Sequence, residues 1–215
     1  MQTLIGLMLA MALALLPGCA SFSPPIDNAE EVDPSKGVLL AGLSTGGSYQ
    51  VKDAWFFYRL KGTTDEHRLD AFSFAGSMAR GLFGRLVPTT NHFSGSGPEV
   101  GRLVAYPLEP GEYELYSWTL YVDRAGGYGY VSPKNRPPPH SFKIQAGTIT
   151  YLGGLHVNAI LGPNTLGFDM VFGGDPDIRD RSDRDLSLLK SLYPTIAGWP
   201  IQKSVPDGAQ WKILH

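Results

Sequence analysis

The chain of 215 residues contains one cysteine, Cys19. With no second thiol there is no internal disulfide, even in an oxidising compartment, and no cysteine cluster for a metal. The five histidines (His67, His92, His140, His156, His215) are scattered, and none shows a metal-ligand spacing such as H-x-x-x-H. Excess positive charge is missing as well. Eighteen Lys and Arg against twenty Asp and Glu leave a net charge of −2, with no basic cluster, which argues against a nucleic-acid partner. No segment repeats at a fixed period, and nothing in the pattern calls for a cofactor. Long apolar runs are absent with one exception, at the start.

That exception is Leu4 to Leu16, LIGLMLAMALALL, which carries no charge. It has the length of a secretory signal core and is too short for a comfortable membrane span. The preceding Met1-Gln2-Thr3 has no Lys or Arg. Directly after the run comes Leu16-Pro17-Gly18-Cys19, which resembles the lipobox of bacterial lipoproteins. The resemblance implies a diacylglyceryl thioether on Cys19, cleavage before it, and acylation of the new amine. Sulfur suits that transfer because a thiolate is the better nucleophile at neutral pH. Two or three acyl chains, palmitate among them, would hold the protein to a membrane where one would not. Pro17 stands where the family usually has Ala, Ser or Thr. Ala20, in place of Asp, implies an outer-membrane destination. The expected organisation is a signal peptide at 1–18, a lipidated cysteine with a Pro- and Ser-rich tether at 19–36, and a single domain at 37–215.

The domain reads as strands and turns. Val38–Leu43 is an apolar run of strand length, and Asp53–Leu60 (DAWFFYRL) packs aromatics on both faces. Pro110-Gly111 makes a turn into the long strand Glu112–Val122. Its apolar face changes from Tyr113 and Leu115 to Tyr116, Trp118, Leu120 and Val122, which predicts a bulge or burial on both faces. Phe142 and Ile144 alternate with polar residues. Ile149, Tyr151, Leu155 and Val157 are expected to share a face, with His156 opposite, and Leu166, Phe168, Met170 and Phe172 form a further alternating set. One helix is expected at about 182–193, capped by Ser182, with Asp183 and Asp185 in its first turn and Pro194 ending it. These elements predict a mainly β fold: an antiparallel β-sandwich with one C-terminal helix. The stretch Gly101–Val157 resembles transthyretin-like and immunoglobulin-like sandwiches of envelope lipoproteins. That resemblance implies the fold and no activity.

Four sites invite chemistry. Gly42-Leu43-Ser44-Thr45-Gly46 fits G-x-S-x-G, the elbow that exposes a nucleophilic serine. It resembles the serine motif of patatin-like lipases, whose acid would be Asp207 of Asp207-Gly208-Ala209. No helix pattern follows Ser44, however, no Gly-rich oxyanion loop precedes it, and no parallel α/β core is present. A Ser/Thr/Gly hairpin loop is the expected setting. Asp175, Asp177, Asp180, Asp183 and Asp185 have the D-x-D look of a calcium loop, but Arg179 and Leu186 occupy ligand positions, so a solvated, salt-bridged helix entrance is expected. His92 with Ser94 and Ser96 lies in a glycine-rich loop that offers no fixed geometry. Tyr128 and Tyr130, near Pro137-Pro138-Pro139, suggest an exposed aromatic loop able to grip a glycan, a peptide or a partner protein. The expected function is a non-catalytic binding or accessory module of the envelope, with no catalytic residue, metal or cofactor. The alternative is an envelope serine hydrolase using Ser44.

Overall fold

A computed structural model describes residues 32–46, 48–72, 91–93, 99–124 and 127–212. The lipobox with Cys19, most of the tether, and Ser94 and Ser96 lie outside the described residues. Two five-stranded sheets pack face to face as the expected sandwich. The first holds β1 (Gly37–Gly46), β4 (Val100–Leu108), β8 (Ile149–Pro163), β9 (Asp169–Arg179) and β10 (Ile201–Lys203), in the order β10-β8-β1-β4 with β9 also on β8. The second holds β2 (Val51–Leu60), β3 (His67–Asp70), β5 (Gly111–Arg124), β6 (Gly127–Val131) and β7 (His140–Ile144), in the order β3-β2-β5-β6 with β7 also on β5. Most pairings are antiparallel, but β1 and β10 both run parallel to β8.

The continuous apolar run of β1 reflects burial on both its faces. Leu39, Ala41 and Leu43 point between the sheets, toward Phe56, Leu115, Trp118 and Leu155. Val38 and Leu40 point the other way, into a second core completed by Ile149, Tyr151, Leu189 and Tyr193. The helix α1 (Ser182–Leu192) supplies that second layer, so the outer face of the first sheet is covered at one end. A strand buried on both faces loses its polar alternation, as β1 does.

Two bulges set which side chains reach which core. In β5, Leu115 pairs with Tyr58 and Ser117 with Phe57, leaving Tyr116 as the extra residue. Tyr113, Leu115, Trp118, Leu120 and Val122 therefore all reach one core, which is the bulge that the change of apolar face implies. In β8 the register slips between the pairs Leu40–Tyr151 and Gly42–Gly154. Gly153, at φ +88°, takes a backbone conformation that a side chain would oppose. The slip corrects one expectation: Tyr151 lies with Ile149 in the outer core, while Leu155 and Val157 face the sheet interface. His156 therefore shares the outer face with Tyr151.

Other boundaries differ in instructive ways. Ser44 lies inside β1, paired on both sides with Gly101 and His156, and not in a hairpin loop. Ser182 does not cap α1; the cap position is Arg181, without a side-chain bond, and the Ser182 hydroxyl accepts from Lys203 Nζ at 2.7 Å. Leu166 and Phe168 fall in the turn joining β8 to β9, not in a strand. In the C-terminal stretch β10 and the short helix α2 (Gly208–Trp211) form.

Candidate functional site

The outer face of the first sheet changes character along β1. Beyond Val38 and Leu40 the same face carries Gly42, Ser44 and Gly46, spaced by two as a strand requires. Gly42 pairs with Gly154 of β8, making a floor without side chains. Onto it α1 lowers Arg184 and Asp185: a Cβ on Gly42 would lie 2.7 Å from Asp185 Oδ2 and 2.8 Å from Arg184 Nη2. The glycines of G-x-S-x-G thus make room on a strand face and do not build an elbow.

A polar network fills that room. Asp185 is fully buried; it accepts from Tyr151 Oη at 2.6 Å and from Arg184 Nε at 2.7 Å. Burial and the Asp185 carboxylate together push the Tyr151 hydroxyl far above its ordinary value, so it stays a donor. Arg184 then reaches Glu99 Oε2 at 3.2 Å, and its guanidinium lies 3.6 Å from the centre of the Phe93 ring. Glu99 Oε1 accepts from Ser44 Oγ at 2.6 Å, and Ser44 Oγ lies 2.8 Å from His156 Nδ1. Burial alone would raise the Glu99 carboxyl, but Ser44, Arg184 and His156 outweigh it and hold the group below its ordinary value. A serine, a histidine and an acid therefore do meet. The acid is Glu99, not Asp207, whose carboxylate instead accepts from Ala209 N at 3.0 Å and caps α2.

The arrangement is not that of a hydrolytic triad. In a triad the serine donates to the near histidine nitrogen and the acid holds the far one. Here the acid touches the serine itself, and the far nitrogen, Nε2, faces Asn158 Oδ1 at 3.0 Å. Ser44 has one proton, and the short bond to Glu99 takes it, so Nδ1 supplies the hydrogen for its own contact with Ser44. The histidine lone pair that would activate the hydroxyl is not presented to it. Ser44 is also fully buried. The network ties α1 to β1, β8 and the start of β4.

The other candidates separate. Asp175 and Asp177 belong to β9, Asp177 pairing with Arg179, while Asp180 binds Lys203 at 2.8 Å. Asp185, far from solvated, is buried in the network just described. Among the described residues no three His, Cys, Asp or Glu side chains gather as a metal would require. His92 Nδ1 accepts from Leu103 N at 3.1 Å, and His140 Nε2 lies 3.0 Å from Ser204 O.

Tyr128 and Tyr130 stand exposed on β6, the edge of the second sheet. Tyr130 meets Trp55 and Tyr121 with ring centres 5.5 Å apart, and Tyr121 meets Trp55 at 5.8 Å and 12° between planes. Such spacing is that of offset-stacked rings, so the rings spend much of their faces on one another. Arg68 covers Trp55 at 4.3 Å. The ladder braces three strands, with Tyr128 and Tyr130 at its exposed side.

These tyrosines sit at one end of the sandwich, together with a feature the sequence pattern placed in a strand. β8 and β9 continue about five residues past the last β1 pairing, Gly46 with Asn158, and project as a hairpin roughly 16 Å long. Several of its large side chains are exposed: Leu166 by 77 %, Phe168 by 67 % and Phe172 by 59 %, with Leu161 beside them, while Val171 is buried. Phe172 is the extra residue of a bulge, since Ile160 pairs with Gly173 and Leu161 with Val171. Gln50 Nε2 donates to Asp169 O at 2.8 Å, fixing the β1–β2 turn, where Tyr49 is exposed, against the hairpin. Seven of the nine large apolar side chains exposed among the described residues thus lie at this end, leaving only Leu60 and Ile201 at the other.

The sequence matches no family model and no curated protein. Among solved structures, a leucine-rich repeat protein from Bacteroides thetaiotaomicron aligns at 11% identity and a TM-score of 0.32, over 58% of this chain and 14% of that one. A likeness of that size carries no argument.

Proposed function

We propose that this chain is a lipid-anchored envelope lipoprotein, directed to the outer membrane, whose sandwich is a non-catalytic binding or accessory module. The observation that carries the binding reading is the concentration of exposed apolar side chains at the hairpin end, beside Tyr128 and Tyr130. Large apolar side chains gathered at one end of a fold mark a binding surface more often than those scattered singly do. The hydrolase alternative loses its main support because Ser44 is buried and its proton faces Glu99. The anchoring half of the proposal rests on Leu16-Pro17-Gly18-Cys19. Its test is metabolic labelling with palmitate in a bacterial host: label enters the wild-type chain and is lost in Cys19→Ser. Equal labelling of the two chains would overturn the anchor.

A further inference from the structure

We infer that the β8–β9 hairpin is a shallow lipid-docking element, its partner being the acyl region of a bilayer. This rests on reading the apolar end as the binding surface and names what it binds. The argument begins with charge. From Ala159 to Gly174 the only ionisable side chain is Asp169, although the rest of the chain is well supplied. A protein partner would usually ask for polar anchors around its apolar contacts. A bilayer core asks for none.

The turn also satisfies much of its own backbone. Asn164 N donates to Phe168 O at 2.8 Å, and Gly167 N to Asn164 O at 2.9 Å. The Asn164 side chain accepts from Leu166 N at 2.9 Å and from Phe168 N at 3.0 Å, while its amide nitrogen donates to Met170 Sδ at 3.3 Å. Four backbone donors of the tip, and the one amide side chain within it, are satisfied internally. Backbone entering hydrocarbon needs that self-sufficiency, whereas an ordinary surface turn can leave such groups to solvent. Tyr49, Tyr128 and Tyr130 are exposed behind the tip, and tyrosine, apolar with a polar end, suits the headgroup level. The projection of roughly 16 Å allows Leu166 and Phe168 to enter one leaflet, with Asp169 left at its surface.

The hairpin lies at the opposite end from Gly37, where the chain enters the sandwich. Along β8 the separation is roughly 45 Å. The tether from Cys19 to Gly37 reaches roughly 60 Å when fully extended, so lipid anchor and hairpin can meet one bilayer with the sandwich turned toward it.

The test uses the full chain carrying Cys19→Ser and one new cysteine, at Thr165→Cys in the tip or at Gln145→Cys in the opposite end. Each carries an environment-sensitive fluorophore and is mixed with phosphatidylcholine vesicles, with or without brominated acyl chains. The expected result is a blue shift and quenching by bromine at Thr165→Cys, with neither at Gln145→Cys. Adding Leu166→Ser and Phe168→Ser should cut the tip signal by at least about tenfold, while far-ultraviolet circular dichroism is unchanged. A Thr165→Cys label that stays unquenched on vesicle-bound protein overturns lipid docking. If that same label becomes shielded on adding outer-membrane proteins in detergent, the end is a protein-binding surface and only the lipid partner fails. If neither addition affects it, the binding reading fails as well.

Discussion

Asp185→Ala is expected to destabilise the folded chain by about 3 kcal/mol, one of the two largest effects of a single substitution outside the apolar core. Asp185 is fully buried and accepts from both Tyr151 and Arg184. Removing it leaves a buried hydroxyl without an acceptor and a cation with Glu99 as its remaining carboxylate partner. The loss sits at the lower end of the range for broken buried pairs because Arg184 keeps that contact and is only partly buried. Asp185→Asn retains an acceptor for Tyr151 and should cost less than half as much. Urea unfolding followed by circular dichroism measures both. Equal stability of Asp185→Ala and wild type would mean that the network contributes little to holding α1 on the sheet.

Gly42→Ala should cost about 1–3 kcal/mol, a large effect for a single added methyl. Its Cβ would enter at 2.7 Å from Asp185 Oδ2, and that carboxylate is held by two partners and has nowhere to retreat. Gly198→Ala is the matched control, since nothing lies within 4 Å of a Cβ there and its φ is not positive. It should be neutral within a few tenths of a kcal/mol. If both substitutions were neutral, the Gly42–Gly154 floor would not be what seats the α1 side chains.

Much of the architecture is legible in the residues. Alternation marks β7, apolar pairing on both faces marks β1, and the shift of face within Glu112–Val122 announces the bulge at Tyr116. Acidic residues in the first turn and Pro194 after the last locate α1 closely. What periodicity cannot deliver is the partner across space. Ser44, Glu99, His156 and Arg184 are separated by tens of residues, and they meet only because β1 pairs with β8 on one side and β4 on the other while α1 packs across them. The slip at Gly153 is similarly hidden, because a glycine in a strand marks a bulge without saying which neighbours change face. Leu166 and Phe168 misled for a different reason: apolar residues spaced by two read as a half-buried strand, yet a turn that offers its apolar groups outward has the same spacing. Gly167 at φ +82°, and Asn164 before it, are the turn signals that outweigh the pattern.

The G-x-S-x-G motif shows how one spacing serves two structures. At an elbow the glycines permit a sharp turn; on a strand, with a repeat of two, they clear one face. The absence of a following helix pattern favours the second, and Gly101 fits it from β4, since a Cβ there would lie 2.0 Å from Leu43 O. The histidine and acid that gather at Ser44 complete a network that ties the helix to the sheet.

The claim that this serine is structural, and the chain a binding module, is tested most directly by exposing the folded protein to a fluorophosphonate probe at neutral pH and mapping labelled sites by mass spectrometry. The account predicts no modification of Ser44 under conditions that label a control serine hydrolase fully. Stoichiometric labelling at Ser44, lost in Ser44→Ala, would contradict it.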